Sequence, residues 1–185
     1  MYDSSVGISV AVIGGGSWGT TVAHLVSHNV ATKLWCRDPK VATSITQDHR
    51  NLSYLPDFCL SNDLVASVQL GEVLSGVDIA LVAIPSQSFR EVLRQMKPHV
   101  KSGTPIISLA KGLEQGTTST MTQIINEELP ASPSGVLTGP NLAQEVLQGF
   151  ATASVFAMRD KTNTEEISKI FTTEKFRVYT SSDVK

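Results

Sequence analysis

The chain of 185 residues carries a formal net charge of −2, and 41% of its residues are hydrophobic. This length suits one domain that buries about 70% of the surface its unfolded chain exposes, so we expect residues 1–185 to form a single domain. The slightly acidic balance, with no run of Lys or Arg, argues against a nucleic-acid-binding protein. No apolar run reaches the roughly 18 residues that a membrane span needs.

Strand-like apolar runs alternate with helix-like segments along the chain. Runs rich in Val, Ile and Leu predict strands at 8–14, 32–36, 78–85, 105–110, 135–139, 151–157 and 176–180. Apolar spacing and cap residues predict helices at 17–28, 39–48, 86–97, 118–129, 141–148 and 163–172. The alternation predicts an α/β, Rossmann-like fold with a mainly parallel, doubly wound sheet and extra strands at its C-terminal end.

Some parts of the pattern carry weaker signals. The stretch 49–76 gives no readable pattern, and within it NLSYLPDF is expected to be a loop. The large apolar side chains expected in the core are Phe89, Met96, Phe150, Phe156 and Phe171.

Cysteine and histidine spacing does not predict a metal site. Cys36 and Cys59 lack paired metal-ligand spacing and are typical of free thiols in a reducing compartment, with one disulfide between them left open. His24 and His28 lie four residues apart on a predicted helix, but no further ligand joins them. The N-terminal stretch MYDSSVGISV lacks the features of a signal peptide, so we expect a cytoplasmic protein.

The stretch VIGGGSWGTT places glycines at 14, 16 and 19 between the first strand and the first helix. In a dinucleotide-binding turn, Gly14 allows the tight turn, Gly16 admits the pyrophosphate and Gly19 lets the helix pack closely. The backbone N–H groups of Ser17 and Trp18 would then face the phosphates at the helix N-terminus. On the motif alone, a methyltransferase turn and a turn without a ligand stay open.

The end of the second strand, LWCRDP, indicates the type of nucleotide. NAD-specific folds usually place an acid here, about 20 residues after the glycines, to bind the ribose 2′-hydroxyl. Cys36 takes that position, and the guanidinium of Arg37 suits a 2′-phosphate, unless it is a solvated surface charge. Asp38 could still bind the ribose of NAD(H). We therefore predict NADP(H) as the preferred cofactor, with NAD(H) also accepted.

Three more stretches follow predicted strands and therefore lie at the carboxyl edge of the sheet, where ligands collect. In AIPSQSFREV, Pro85 and Ser86 either line the cofactor groove or only start a helix. In SLAKGLE, the cation of Lys111 could meet an anionic or carbonyl-bearing substrate, with an exposed loop lysine as the alternative. In TGPNLAQEV, Asn141 is a candidate helix cap and an amide donor and acceptor.

Six stretches occur in an order that resembles one enzyme family: GGGSWGTTVA, LWCRDP, NLSYLP, AIPSQSFR, SLAKGLE and TGPNLAQEV. Over nearly its whole length the sequence resembles the amino-terminal domain of the bacterial-type NAD(P)-dependent glycerol-3-phosphate dehydrogenases. The resemblance implies interconversion of sn-glycerol 3-phosphate and dihydroxyacetone phosphate, which supplies glycerol 3-phosphate for phospholipid synthesis. A homodimer of the full-length protein is compatible with it.

The resemblance also implies roles for individual residues. The positions that match cofactor contacts of the family are Ser17, Trp18, Arg37, Lys111 and Ala143. Lys111 matches a residue that touches both cofactor and substrate, and Gly139 matches a substrate contact. Asn141 stands where many members of the family have serine or threonine, so its substrate role is an expectation that departs from the family pattern.

The family places its proton-acceptor lysine in a following helical domain, within a stretch like GALKN, and this sequence contains no such stretch. We therefore expect the helical substrate domain to be absent from these 185 residues, and the chain to bind cofactor without turning over substrate. Two alternatives stay open. One is a stand-alone NAD(P)-binding or sensing module, and the other is a related dehydrogenase of another small hydroxy compound, against which SLAKGLE and TGPNLAQEV argue.

Overall fold

Strands and helices alternate through the part of the chain that the computed structural model describes, residues 7–159 and 161–184. The strands are β1 (Ser9–Ile13), β2 (Ala31–Trp35), β3 (Val65–Ser67), β4 (Ile79–Val82), β5 (Ile106–Ser108), β6 (Ser134–Thr138), β7 (Thr152–Met158) and β8 (Phe176–Ser181). The helices are α1 (Ser17–Ser27), α2 (Pro39–Asp48), α3 (Leu70–Leu74), α4 (Ser86–Met96), α5 (Met121–Glu128), α6 (Ala143–Leu147) and α7 (Lys161–Phe171).

The eight strands form one sheet in the order β3-β2-β1-β4-β5-β6-β7-β8. All neighbouring pairs are parallel except β6 and β7, which run antiparallel. The prediction of a mainly parallel sheet with extra C-terminal strands is therefore confirmed. Strand order reverses between β1 and β4, and the crevice beyond the carboxyl ends of such a strand pair is where open α/β sheets bind ligands.

Helices cover both faces of the sheet, so its central strands are apolar at every position. In β4, Leu81 faces the cluster formed with α1, α2, α6 and α7, while its neighbour Val82 faces the cluster formed with α3, α4 and α5. All four residues of β4 are buried, because each face of the strand meets a helix layer. The predicted double winding is confirmed.

Local cap chemistry sets where two of the helices begin. Pro39 opens α2, and the Asp38 side chain accepts a hydrogen bond from the backbone N of Lys40 at 2.9 Å. Helix α5 begins at Met121, later than predicted, because Thr120 and Gln123 form a capping box at its N-terminus.

The stretch 49–76 contains more structure than the sequence predicts, since β3 and α3 both fall within it. The loop expected at NLSYLPDF, residues 51–58, is confirmed, since no helix or strand falls within those residues. Strand β3 and helix α3 lie in the later part of the stretch, where the sequence shows no readable pattern. Strand β3 has three residues and α3 has five, which is too short for hydrophobic periodicity to distinguish them from a loop.

Two further expectations meet a clear outcome. The Phe150 side chain is 58% exposed, so the prediction that it belongs to the core is wrong. Cys36 is buried and Cys59 is exposed, and both are free thiols, which settles the open question of a disulfide between them. Within residues 7–159 and 161–184, no helix combines the length and the apolar character that crossing a bilayer demands.

Candidate functional site

A cleft of about 800 Å³ lies at the carboxyl edge of the sheet, beside the point where strand order reverses. Its walls come from the segments that follow β1, β2, β4, β5 and β6. The predicted site residues that line it are Gly14, Gly16, Ser17, Trp18, Arg37, Pro85, Lys111, Asn141 and Ala143. Gly19 and Gly139, which were also predicted, are not among the lining residues.

Gly14 and Gly19 allow the first turn to pack tightly on the sheet. Gly14 has a φ of 123°, and a Cβ on it would lie 2.5 Å from the carbonyl oxygen of Ala83. A Cβ on Gly19 would overlap the carbonyl oxygen of Gly14 and press on the Ala83 side chain. Both positions therefore need glycine because backbone meets backbone there.

Gly16 differs from its neighbours because the space around it is empty. A Cβ built on Gly16 would meet no described atom within 4 Å. Gly16 is the N-cap of α1, and the first N–H groups of a helix, here those of Ser17 and Trp18, have no acceptor within the helix. These N–H groups and the positive end of the helix dipole suit a pyrophosphate, so the turn fits a dinucleotide.

The segment after β2 supplies one cation to the cleft. Cys36 is buried against Gly15, and burial together with the nearby Asp38 charge raises the pKa of its thiol to about 12. The Asp38 carboxylate caps α2 through Lys40. Arg37 is exposed and lines the cleft, and its guanidinium makes no hydrogen bond or ion pair to any described residue. Arg37 is therefore available to an anionic ligand.

The segment after β5 supplies the second cation. Lys111 is solvent-exposed, as in the alternative of a loop lysine, and it also lines the cleft. Gly112, with a φ of 101°, turns the chain sharply away, and a Cβ there would lie 3.3 Å from Ser86 Oγ. Pro85 both lines the cleft and starts a helix as the N-cap of α4, whereas Ser86, the other residue predicted at the groove, is not among the lining residues.

Asn141 does not cap a helix as predicted. Helix α6 begins at Ala143, and the buried amide of Asn141 instead reaches β7. Its Nδ2 donates to the Ala153 carbonyl at 3.0 Å, and its Oδ1 accepts from Ser154 Oγ at 2.7 Å. Gly139 lies beneath this amide, and a Cβ on Gly139 would overlap Asn141 Oδ1. These hydrogen bonds of Asn141 fasten the loop after β6 to the neighbouring strand β7, and the missing side chain of Gly139 leaves room for the amide.

Comparison with known proteins places this architecture in a family. A family model described as the N-terminus of NAD-dependent glycerol-3-phosphate dehydrogenase matches residues 9–164. The chain belongs to this family. Every segment that lines the cleft lies within the matched residues of the glycerol-3-phosphate dehydrogenase family.

Individual relatives agree with the family match. Glycerol-3-phosphate dehydrogenase (NAD(P)+) 2 of Sphingopyxis alaskensis is 45% identical over 177 residues, which are 96% of this chain and 53% of the relative. The Mycobacterium avium glycerol-3-phosphate dehydrogenase (NAD(P)+) is 44% identical over 176 residues, 95% of this chain and 52% of the relative. The crystal structure of glycerol-3-phosphate dehydrogenase from Coxiella burnetii matches with a TM-score of 0.89 at 30% identity, covering 96% of this chain and 55% of that one. This chain thus spans about half the length of the curated relatives it matches.

Sequence reasoning missed a buried amide that supports the glycine turn of this family member. Asn51 is fully buried, and its Nδ2 donates to the Gly15 carbonyl at 2.9 Å and to Thr20 Oγ1 at 2.8 Å. Its Oδ1 accepts from the backbone N of Tyr54 at 3.2 Å, and Tyr54 lines the mouth of the cleft. Asn51 is the first residue of the stretch NLSYLP, but only the three-dimensional contacts show that its amide holds the glycine turn.

His24 of α1 has a structural role, and its neighbour His28 caps the C-terminus of the helix. Nδ1 of His24 accepts a hydrogen bond from the backbone N of Ser61 at 2.9 Å. Burial, and then the neighbouring His28, lower the pKa of His24 to about 4. Across the described residues, His, Cys, Asp and Glu form no group of three or more that could hold a metal ion.

Proposed function

We propose that this chain is the cofactor-binding part of an enzyme that interconverts sn-glycerol 3-phosphate and dihydroxyacetone phosphate with NADP(H), and that it also accepts NAD(H). The observation that carries the proposal is the cleft itself. It joins the glycine turn, Arg37 and Lys111 at the point where strand order reverses, in a chain of the glycerol-3-phosphate dehydrogenase family. The names of the curated relatives supply the reaction and the pair of cofactors.

The chain's own groups suit the two ends of such a cofactor. The N–H groups of Ser17 and Trp18 would bind the pyrophosphate, and the open space at Gly16 would admit it. The guanidinium of Arg37 would bind the 2′-phosphate, which distinguishes NADP(H) from NAD(H). Asp38 is less suited to the ribose of NAD(H), because one of its carboxylate oxygens already caps α2. When bound, the nicotinamide supplies or accepts the hydride.

Lys111 is the residue of this chain that we assign to the substrate. Its exposed ammonium stands at the edge of the cleft without a partner among the described residues, so it can meet a phosphate or polarise a carbonyl oxygen. Ala143 would contribute cleft wall on the cofactor side. We propose only indirect substrate roles for Asn141 and Gly139, since the Asn141 amide is held by β7 and Gly139 lies beneath it.

Oxidation of a secondary alcohol also needs a base for the hydroxyl proton, and such a base contributes about 10²–10⁴-fold. The family resemblance implies that this base is a lysine within a stretch like GALKN, which residues 1–185 do not contain. We therefore propose that residues 1–185 bind the cofactor and do not turn over substrate by themselves. A cytoplasmic location and a homodimer of the whole protein stay predictions whose support is the sequence alone.

The proposal is tested by assaying the whole protein for reduction of dihydroxyacetone phosphate, following cofactor oxidation with NADPH and with NADH. We expect turnover with both cofactors and a higher kcat/KM with NADPH. Dihydroxyacetone without its phosphate is the matched control and should react far more slowly. Cofactor binding without any turnover would instead favour a sensing module, and faster reduction of a different small carbonyl compound would favour a related dehydrogenase.

A further inference from the structure

The loop that follows β5 carries Lys111 and has little regular structure of its own. We use the name Lys111 loop for residues 110–119, which run from the end of β5 to the cap of α5. Lys111 and Leu113 are both exposed, so burial does not hold the loop in place. A lysine on such a loop keeps its position only if other contacts fix the backbone.

Gln87 of α4 holds the backbone of the loop on both sides of Glu114. Its side-chain Nε2 donates to the Leu113 carbonyl at 2.9 Å. Its Oε1 accepts from the backbone N of Gln115 at 2.9 Å. One amide side chain therefore satisfies a donor and an acceptor of the loop at once, which fixes both its distance and its orientation relative to α4.

Arg90 lies one helical turn further along α4 and binds Glu114, the residue between Leu113 and Gln115. Its Nε and Nη2 donate to the two carboxylate oxygens of Glu114, both at 2.8 Å, which is the bidentate geometry of a strong pair. The two side chains are only 19% and 15% exposed. Thr117 Oγ1 adds a hydrogen bond of 2.6 Å to Glu114. Hydrogen bonds from Arg90, and then from Thr117, hold the pKa of Glu114 at about 2, so the pair stays charged at any ordinary assay pH.

Two glutamates of α5 also hold the guanidinium of Arg90. Nη1 of Arg90 contacts Glu127 at 2.7 Å and Glu128 at 2.8 Å, both at the end of α5. Arg94 makes its own pair with Glu128 at 2.9 Å and does not reach Glu114. Arg90 thus joins α4, α5 and the Lys111 loop, whereas Arg94 joins only α4 and α5.

Helix α4 begins at the cleft, since Pro85 lines the wall and Ser86 backs onto Gly112. We propose that Gln87 and the Arg90–Glu114 pair are positioning residues that fix Lys111 against this wall. Gln87, Arg90 and Glu114 do not line the cleft. They therefore act by positioning Lys111 and not by contacting the cofactor or the substrate themselves. The inference rests on the substrate role proposed above for Lys111. A displacement of about 1 Å in such a group can cost up to about 10²-fold in rate.

The test uses the whole protein and compares Glu114→Ala, Lys111→Ala and the double variant. We expect Glu114→Ala to lower kcat/KM for dihydroxyacetone phosphate by about 10- to 100-fold, with the NADPH dissociation constant changed by less than about twofold. In the Lys111→Ala background, Glu114→Ala should cost nothing more, because the group that it positions is gone. Glu114→Gln keeps an acceptor for Arg90 and should recover part of the loss.

Arg94→Ala is the matched control, since it removes an arginine of the same cluster that does not reach Glu114. It should leave kcat/KM within about twofold of the wild-type value. Equal losses for Arg94→Ala and Glu114→Ala, or additive losses for Glu114→Ala and Lys111→Ala, would overturn the positioning role and leave a purely structural one.

Failure of the proposed function gives a different result. If Lys111→Ala alone keeps wild-type kcat/KM, the substrate role of Lys111 is wrong, and the positioning role is overturned with it. Amide hydrogen exchange over residues 112–118 then reports separately whether the ion pair holds the loop. Faster exchange in Glu114→Ala than in Arg94→Ala is the expected result, and equal exchange in the two variants would remove the structural basis of the inference.

Discussion

Two walls of the cleft are held in place by opposite means. In the glycine turn, residues 14–19, backbone packs directly on backbone, and a side chain at Gly14 or Gly19 would collide with it. The Lys111 loop is exposed and is held from outside by Gln87 and by an Arg90–Glu114 pair that spans 24 positions of sequence. The position of the turn thus depends on the absence of side chains at Gly14 and Gly19. The position of the loop depends on hydrogen bonds from the side chains of α4.

Lys111→Ala in the whole protein should produce the largest effect on turnover and separate the two walls. We expect kcat/KM for dihydroxyacetone phosphate to fall by about 10²–10³-fold, the usual cost of removing a donor aimed at developing charge. The affinity for NADPH should change far less, because the glycine turn and Arg37 remain. Steady-state kinetics together with a cofactor titration measure both quantities. Unchanged kcat/KM would make Lys111 an ordinary surface lysine.

Gly16→Val tests the opposite wall. The new side chain enters open space, so the fold should persist, but it occupies the path of the pyrophosphate. Overlap and lost N–H contacts together should cost roughly 3 kcal/mol or more, about 100-fold or more in cofactor affinity. Gly19→Ala is the contrasting variant and should lower the melting temperature, because its Cβ overlaps the Gly14 carbonyl. Full NADPH affinity in a folded Gly16→Val protein would show that the turn binds no phosphate.

Arg37→Ala asks whether the segment after β2 distinguishes the two cofactors. Losing charge-assisted hydrogen bonds of about 1.5–3 kcal/mol should weaken NADPH binding by roughly 10- to 100-fold. NADH affinity should hardly change, since that cofactor lacks the 2′-phosphate. Lys40→Ala removes a nearby exposed cation that does not line the cleft and serves as the control. Equal weakening of both cofactors by Arg37→Ala would rule out the 2′-phosphate contact.

The last expected effect is on the dependence of stability on pH, with no effect on turnover at neutral pH, and it distinguishes α1 from the Lys111 loop. The pKa of His24 on α1 is lowered to about 4 from its ordinary value near 6.5, so between these values the unfolded chain holds a proton that the folded chain lacks. The free energy of unfolding should therefore fall as pH drops from about 6.5 to about 4, by up to about 1.4 kcal/mol per pH unit from this group.

His24→Asn keeps an acceptor near the position of Nδ1 for the backbone N of Ser61 and removes the titration. Denaturant unfolding as a function of pH should thus show a shallower slope in His24→Asn than in the wild-type chain. Glu114, whose pKa is held at about 2 by Arg90 and Thr117, stays ionised in the folded chain, but its carboxyl in the unfolded chain takes up a proton near pH 4.5. The Lys111 loop should therefore add to the slope only at the acid end of the range, below about pH 5, and should add equally in the two proteins, whereas His24 acts from about pH 6.5 downward. Identical slopes in the two proteins would contradict the assignment to His24.

The sequence predicts elements well where burial or caps mark them locally. The first strand was expected at 8–14 and occupies Ser9–Ile13, because an unbroken run of Val and Ile is typical of a strand covered on both faces. Helix α2 was expected at 39–48 and occupies those positions, because Asp38 and Pro39 together mark a helix start.

Contacts between distant positions are what local patterns do not show. The exposure of Phe150, the tie between Asn51 and the glycine turn, and the engagement of Asn141 by β7 all depend on neighbours far along the chain. The hydrogen bonds from Gln87 and Arg90 to the Lys111 loop also join positions that are far apart in the sequence. Such side chains look like ordinary surface or loop residues until the fold brings their partners beside them.

The central claim is that the cleft binds a dinucleotide through the glycine turn, and the chain carries its own reporter for it. The sequence has two tryptophans, Trp18 and Trp35, and both line the cleft. Titrating the 185-residue chain with NADPH while following tryptophan fluorescence should give saturable quenching, weaker with NADH and lost in Gly16→Val. Adding dihydroxyacetone phosphate should cause no oxidation of NADPH. A folded chain whose fluorescence ignores NADPH, or responds equally in Gly16→Val, would contradict the account.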